Sequence, residues 1–205
     1  MYSNDLPLVA ILRGITLSEV GPISNALYEA GIRYIEIPLN SPTPFDSIAA
    51  LIELQGERAI CGAGTVTTVE EVTRLAECGA KLIVSPHIDT QIVEAALARD
   101  MLVMPGVATI TEALTAIKAG ATHLKLFPAG DLGAGYLKSI NAVIPVGIKI
   151  FAVGNIGLAD LTAFTEAGAC GFGIGGGIYR PGMSATEVLD RAKQYVSAVE
   201  ACIVK

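Results

Sequence analysis

Apolar positions along this chain fall into two alternating kinds of block. Eight short runs are almost continuously apolar: Leu8–Gly14, Tyr34–Leu39, Ala59–Thr65, Lys81–Pro86, Leu102–Val107, His123–Pro128, Lys149–Gly154 and Gly171–Gly175. Their length suits strands buried on both faces, as in a parallel sheet. Between them lie longer segments with helical spacing of apolar residues, such as Thr68–Cys78 and Thr109–Ala119. Several open on a capping box, a hydroxyl residue followed three positions later by glutamate: Thr16/Glu19, Thr68/Glu71, Thr109/Glu112 and Ser184/Glu187. Helices close on similar words, EAGI at Glu29–Ile32, ECGA at Glu77–Ala80, KAGA at Lys118–Ala121 and EAGA at Glu166–Ala169, whose glycine supplies a left-handed cap. The glycines Gly31, Gly79, Gly120 and Gly168 stand 48, 41 and 48 residues apart, the length of two strand–helix units. Eight such units without a linker predict an α/β fold, a single (β/α)8 TIM barrel over residues 1–205 with short βα loops. A doubly wound open sheet is the alternative, but no GxGxxG follows the first strand.

Composition narrows the partners. The 205 residues are 52% hydrophobic and include 22 glycines, as expected where helices pack closely on a parallel sheet. The formal net charge is −6 and there is no basic run, which argues against nucleic acid. Anionic small molecules stay open, because a few local donors outweigh global charge. Cys61, Cys78, Cys170 and Cys202, with His87 and His123, have no metal-site spacing, so free thiols in a reducing compartment and no metal are expected. The N-terminal MYSNDLPLVA lacks the pattern of a signal peptide, and no run is long enough to span a bilayer. A cytoplasmic protein without membrane contacts is the expectation.

A barrel gathers its chemistry at the C-terminal ends of its strands. The residues standing there are Arg13-Gly14, Asn40-Ser41, Gly62-Ala63-Gly64-Thr65, Ser85-Pro86-His87, Pro105-Gly106, Lys125 with Phe127, Gly154-Asn155 and Gly175-Gly176-Gly177. Three charges interrupt apolar strands: Arg13 in AILRG, Glu36 in YIEIP and Lys125 in LKLF. If Leu124 and Leu126 face helices, Lys125 and Phe127 face the barrel interior. A lysine there is poorly solvated, its pKa falls, and its neutral amine becomes a nucleophile toward carbonyls. Two plainer readings stand beside this one: a lysine snorkelling to water at a strand end, and a Glu–Lys–Arg network serving stability alone. The glycine-rich ends of strands seven and eight occupy the usual phosphate position of such barrels. His87 is read as a loop residue that either touches substrate or is solvated, His123 as a filler of the barrel bottom.

Six words, in order over nearly the whole chain, resemble the class I 2-keto-3-deoxy-6-phosphogluconate/galactonate aldolase family: ILRGI at Ile11–Ile15, EIPLNSP at Glu36–Pro42, GAGTV at Gly62–Val66, LIVSPH at Leu82–His87, MPGVAT at Met104–Thr109 and KLFPA at Lys125–Ala129. The resemblance implies a Schiff base between Lys125 and the C2 ketone of a 2-keto-3-deoxy-6-phospho sugar acid. Glu36 would take the C4 hydroxyl proton through a water, and the C3–C4 bond would break to give glyceraldehyde 3-phosphate and pyruvate, without metal or cofactor. Arg13, Asn40, Gly64, Thr65, Pro86, Phe127, Gly154, Asn155, Gly176 and Gly177 would bind substrate, Phe127 packing beside the imine. The chain departs from the phosphogluconate branch, whose second strand reads like E-x-T-x-R; Asn40 stands at the arginine, and Arg13 is the replacement cation. That exchange and the word EIPLNSP resemble the phosphogalactonate branch, so 2-dehydro-3-deoxy-6-phosphogalactonate is the expected substrate. The gluconate epimer and 4-hydroxy-2-oxoglutarate are the alternatives. The family's phosphate loops often read G-G-I and G-S; here they read Gly154-Asn155 and Gly176-Gly177, one hydroxyl donor fewer. A homotrimer is implied, with Leu161, Phe164 and Tyr179 as a candidate apolar face. A phosphosugar isomerase or synthase, and a non-catalytic phosphometabolite-binding barrel, are the competing functions.

Overall fold

The computed structural model describes residues 6–203; residues 1–5, on which the signal-peptide expectation rests, lie outside them. Nine strand segments run parallel: β1 (Leu8–Ile11), β2 (Tyr34–Pro38), β3 (Ile60–Gly64), β4 (Leu82–Val84), β5 (Leu102–Met104), β6 (Gly106–Val107), β7 (His123–Leu126), β8 (Lys149–Val153) and β9 (Gly171–Ile174). Each apolar run of the sequence contains one strand, except the fifth, which is split into β5 and β6 by Pro105. Proline has no N–H to give a ladder. The carbonyls on either side of the break still bond in opposite directions. The Ser85 N–H donates to Met104 O at 3.3 Å and the Lys125 N–H to Pro105 O at 2.9 Å. The bonded order β5-β4-β3-β2-β1-β9-β8-β7-β6 therefore begins and ends on one bent run, and the sheet closes into a TIM barrel.

The helices α1 (Leu17–Glu29), α2 (Pro44–Gln55), α3 (Val69–Glu77), α4 (Thr90–Leu97), α5 (Ile110–Lys118), α6 (Ala129–Leu132), α7 (Ala134–Asn141), α8 (Leu161–Glu166) and α9 (Ala185–Ile203) lie between and after the strands. All four capping boxes form. The Glu71, Glu112 and Glu187 N–H groups donate to the hydroxyls of Thr68, Thr109 and Ser184 at 3.2–3.3 Å, and the Thr16 N–H donates to the Glu19 carboxylate at 2.9 Å. Such a cap stabilises by about 1 kcal/mol. Gly31, Gly79, Gly120 and Gly168 all have positive φ, as the repeated helix endings require.

Strand alternation sorts the apolar residues into two cores. Leu8, Ala10, Ile35, Ile37, Leu124, Leu126 and Ile150 point outward and pack with the helices. Val9, Tyr34, Leu82, Val84, Met104, Phe151 and Val153 fill the lumen. His123 joins this floor. Its ring lies 6.1 Å from that of Phe151, its Nδ1 is 3.0 Å from Thr122 Oγ1, and burial, aided by Lys149, lowers its pKa to about 4.

The apolar face that the sequence offers for a partner chain turns inward instead. Leu161, Phe164 and Tyr179 do not form an outward apolar face; they are 1%, 4% and 2% exposed within the chain's own core. Helix α8 spends that stripe on its own barrel, and the Tyr179 hydroxyl is engaged by Glu19 at 3.2 Å. Among the described residues, no helix is long and apolar enough to cross a membrane.

Candidate active site

Residues two apart on a strand share a face, so the parity that sends Val9, Tyr34 and Phe151 inward also sends Glu36 and Lys125 inward. Glu36 is 2% exposed and Lys125 5%. Lys125 is paired in register with Gly106 and Phe151, and Glu36 with Ile11 and Gly62. A glycine in the next strand makes room for the carboxylate: a Cβ at Gly64 would overlap both Glu36 oxygens.

Burial dominates the electrostatics. It pushes the Glu36 pKa up to about 7, although Lys125, Arg13 and the Gly64 amide all pull it down. Burial lowers the Lys125 pKa, against the attraction of Glu36 and with help from Arg13. The three charges sense one another without closing an ion pair. Among the described residues the pair within 4.0 Å is Lys193–Glu29, on the surface at 3.3 Å. Glu36 Oε2 is buried with no hydrogen-bond partner among them. The Lys125 ammonium lies 4.7 Å from the Phe127 ring centroid, a cation–π distance, and Phe127 faces the mouth at 38% exposure.

Above this floor opens a cavity of about 1050 Å³. Arg13, Thr65, Pro86, Lys125, Phe127, Gly154, Asn155, Gly176 and Gly177 line it, as the sequence predicts. Glu36 lies beneath it, in a small lumen pocket shared with Lys125. Asn40 and Gly64 stand outside its wall and touch Arg13 and Glu36 respectively. Arg13 donates from Nη1 to Asn40 Oδ1 at 2.6 Å, and Gly64 accommodates Glu36. His87 is exposed and does not line the cavity; its carbonyl accepts the Ser85 hydroxyl at 2.6 Å. Among the described residues no three His, Cys, Asp or Glu side chains converge as metal ligands would.

Sequence reasoning did not place Gly157, Tyr179, Arg180 or Tyr195 in the wall. Tyr195 had a signal: it is the one hydroxyl-bearing member of the buried α9 stripe Val188, Ala192, Tyr195, Val199. Two wall residues also carry backbone strain. Thr65 and Asn155 have φ of 57° and 54°, a conformation costing of order 1–3 kcal/mol for a residue with a side chain.

Comparison with known proteins gives consistent results. A protein-family model, "Aldolase: KDPG and KHG aldolase", matches residues 2–194. The chain is 43% identical over 197 residues to a 2-dehydro-3-deoxy-6-phosphogalactonate aldolase of Escherichia coli strain K12, covering 96% of each chain. A solved structure described as native KDPGal aligns over 100% of both chains with TM-score 0.97 and 41% identity. A cube-shaped protein cage designed by fusing symmetric oligomeric domains aligns at TM-score 0.94 and 43% identity, over 96% of this chain and 73% of that one.

Proposed function

The chain belongs to the KDPG and KHG aldolase family and is an aldolase, and we propose that it cleaves 2-dehydro-3-deoxy-6-phosphogalactonate through an imine on Lys125. The observation carrying this reading is the arrangement of Glu36 and Lys125. Both are buried in one lumen, both have pKa values moved toward neutrality, and neither pairs with the other. A network serving stability alone would close its ion pairs. Two held apart suit an amine and a base with a substrate and a water between them.

The neutral Lys125 amine adds to the C2 ketone, and loss of water leaves a protonated imine. Glu36, ionised at a pH near its pKa, takes the C4 hydroxyl proton through a water. The electrons of the C3–C4 bond move into the iminium, the aldehyde glyceraldehyde 3-phosphate departs, and an enamine remains. C3 then regains a proton from the Glu36 side, and water hydrolyses the imine to pyruvate and free Lys125. Arg13, held by Asn40, is the cation for the substrate carboxylate, and the fork of a guanidinium suits that group. Phe127 shields the imine from bulk water.

Two further readings go with this one. The four cysteines are free thiols, which supports a reducing compartment, the cytoplasm. Oligomerisation is supported by the similarity to a cage built from symmetric oligomeric domains; the state proposed is the homotrimer that the family resemblance implies, and light scattering should give a mass of three chains.

Borohydride reduction in the presence of pyruvate should place a three-carbon adduct on the Lys125 peptide. An adduct on Lys81, Lys118 or Lys138 would overturn the mechanism. A coupled assay should show faster cleavage of the galactonate phosphate than of the gluconate phosphate; the reverse order would overturn the substrate.

A further inference from the structure

We infer that the phosphate end of the substrate is held by two side chains from the C-terminal part of the chain, the Tyr195 hydroxyl and the Arg180 guanidinium, beside the Gly176–Gly177 backbone. The inference rests on the phosphosugar reading above and adds to it the residues that read the phosphate.

The loop after β9 offers no side chain at Gly176 or Gly177, and Gly177 has a steric reason to be glycine. A Cβ there would run into Tyr195 Oη, with Tyr195 Cζ at 2.8 Å and Ile174 Cγ2 at 3.0 Å. The phenol of α9 thus fills the volume that a side chain at 177 would need. A hydroxyl therefore stands at this point of the wall although the loop itself supplies none. Tyr195 is 5% exposed, lines the cavity, and makes no hydrogen bond among the described residues. Its neighbour Tyr179 shows the contrast, since that hydroxyl is engaged by Glu19. A hydroxyl that opens on a cavity without a protein partner has its donor free for a ligand. Burial, with Asp160 nearby, raises the Tyr195 pKa despite Arg191, so the group stays a neutral donor.

Arg180 is the second element. The cations of the cavity wall are Lys125 in the lumen, Arg13 on the exposed turn after β1, and Arg180, the one whose guanidinium is anchored to the Gly176–Gly177 loop. Arg180 Nε donates to Gly176 O at 3.1 Å, which anchors the guanidinium and leaves its Nη groups free. Arg191 Nη1 donates to Gly177 O at 3.3 Å. Both loop carbonyls are thereby compensated by positive charge, so their negative ends do not oppose an anion. In a chain of net charge −6, an anion needs such a local cation, and a guanidinium matches phosphate geometry.

The test compares condensation of pyruvate with glyceraldehyde 3-phosphate and with unphosphorylated glyceraldehyde, in wild type, Tyr195→Phe and Arg180→Gln. The readout is the ratio of the two kcat/KM values, with inorganic phosphate as a competitor. Each variant should lower the ratio by about ten- to hundredfold, the scale of a lost hydrogen bond to a charged group, and should weaken phosphate competition. The Arg180→Gln effect should shrink in high salt, because that residue is exposed. Tyr195→Phe keeps the ring that packs α9, so its fold is safe. A wild-type enzyme that does not distinguish the two aldehydes overturns the phosphosugar reading and this inference with it. A wild type that does distinguish them, with variants of unchanged ratio, overturns the inference alone.

Discussion

The two ends of the cavity are built from different materials. The deep end consists of ionisable side chains fixed in strands, Glu36 and Lys125, stripped of water and with pKa values moved toward neutrality. The outer end consists of glycine backbone, a phenol and an exposed arginine. The difference follows from what each must do. A group whose protonation changes during a turnover works best with its pKa moved toward the working pH, and burial moves both groups in that direction. An anion whose charge stays constant needs only donors. On the proposed mechanism, damage at the deep end therefore strikes kcat, and damage at the outer end strikes KM.

Removing the nucleophile is the hardest test of that division. Lys125→Ala should lose at least about four orders of magnitude in kcat and all pyruvate trapping, as when a covalent catalyst is deleted. A variant that retains one tenth of the wild-type rate would break the comparison at once.

Glu36→Gln comes next. It should slow cleavage by about two to four orders of magnitude while imine trapping remains measurable. In wild type kcat should rise with pH through about 7, as the Glu36 carboxylate forms. Stability should run the other way. The folded pKa is raised from 4.5 to about 7, so the fold favours the protonated form and loses stability as pH climbs between those values. Glu36→Gln removes that loss. Its thermal midpoint should exceed wild type at pH 8, by up to about 3 kcal/mol in stability, and the gap should narrow toward pH 5.

Arg13 and Asn40 sharpen the boundary. Arg13→Ala should weaken pyruvate and whole substrate by about tenfold or more, the scale of a lost charged hydrogen bond, while phosphate competition persists. Asn40→Ala removes only the 2.6 Å brace on Arg13 and should cost about threefold in the same measurement. An Asn40 effect larger than that of Arg13 would mean that Asn40 meets the substrate itself.

The smallest effect is expected at Thr65. Its φ of 57° suits glycine, so Thr65→Gly should stabilise the fold by about 1 kcal/mol in denaturant titration, with a few-fold fall in activity. Loss of stability would show that Thr65 contributes more by its side chain than its backbone costs.

The same division decides what the sequence revealed. The strands and caps were legible because burial on both faces and the capping box leave local marks. The break at Pro105 was written in the chain, but whether a proline ends a run or bends it depends on its neighbours. The deep end was legible because Glu36 and Lys125 are out of place in apolar strands; Arg13, read from the sequence as a third, instead stands exposed in the turn after β1, where the strand has already ended. Tyr195 and Arg180 are ordinary where they stand, one in a helix stripe and one in a loop. Only the closing of the barrel brings α9 beside Gly177. The face assigned to Leu161, Phe164 and Tyr179 failed for a related reason. An apolar helix stripe does not say whether it meets its own barrel or another chain.

The floor of the lumen sets an order of events. Tyr34 and Phe151 are wholly buried there with His123 against Phe151, so among the described residues the chamber is closed at this end and opens at the mouth. Whatever is bonded to Lys125 sits behind whatever lies against Gly176–Gly177. On the proposed mechanism the aldehyde therefore leaves before pyruvate, and in the reverse direction pyruvate enters first. Steady-state inhibition should show it, with pyruvate competing against the sugar acid while the aldehyde phosphate gives a mixed pattern. A dead-end barrel is in this sense a queue, and the lumen's aromatic floor fixes which product stands last in line.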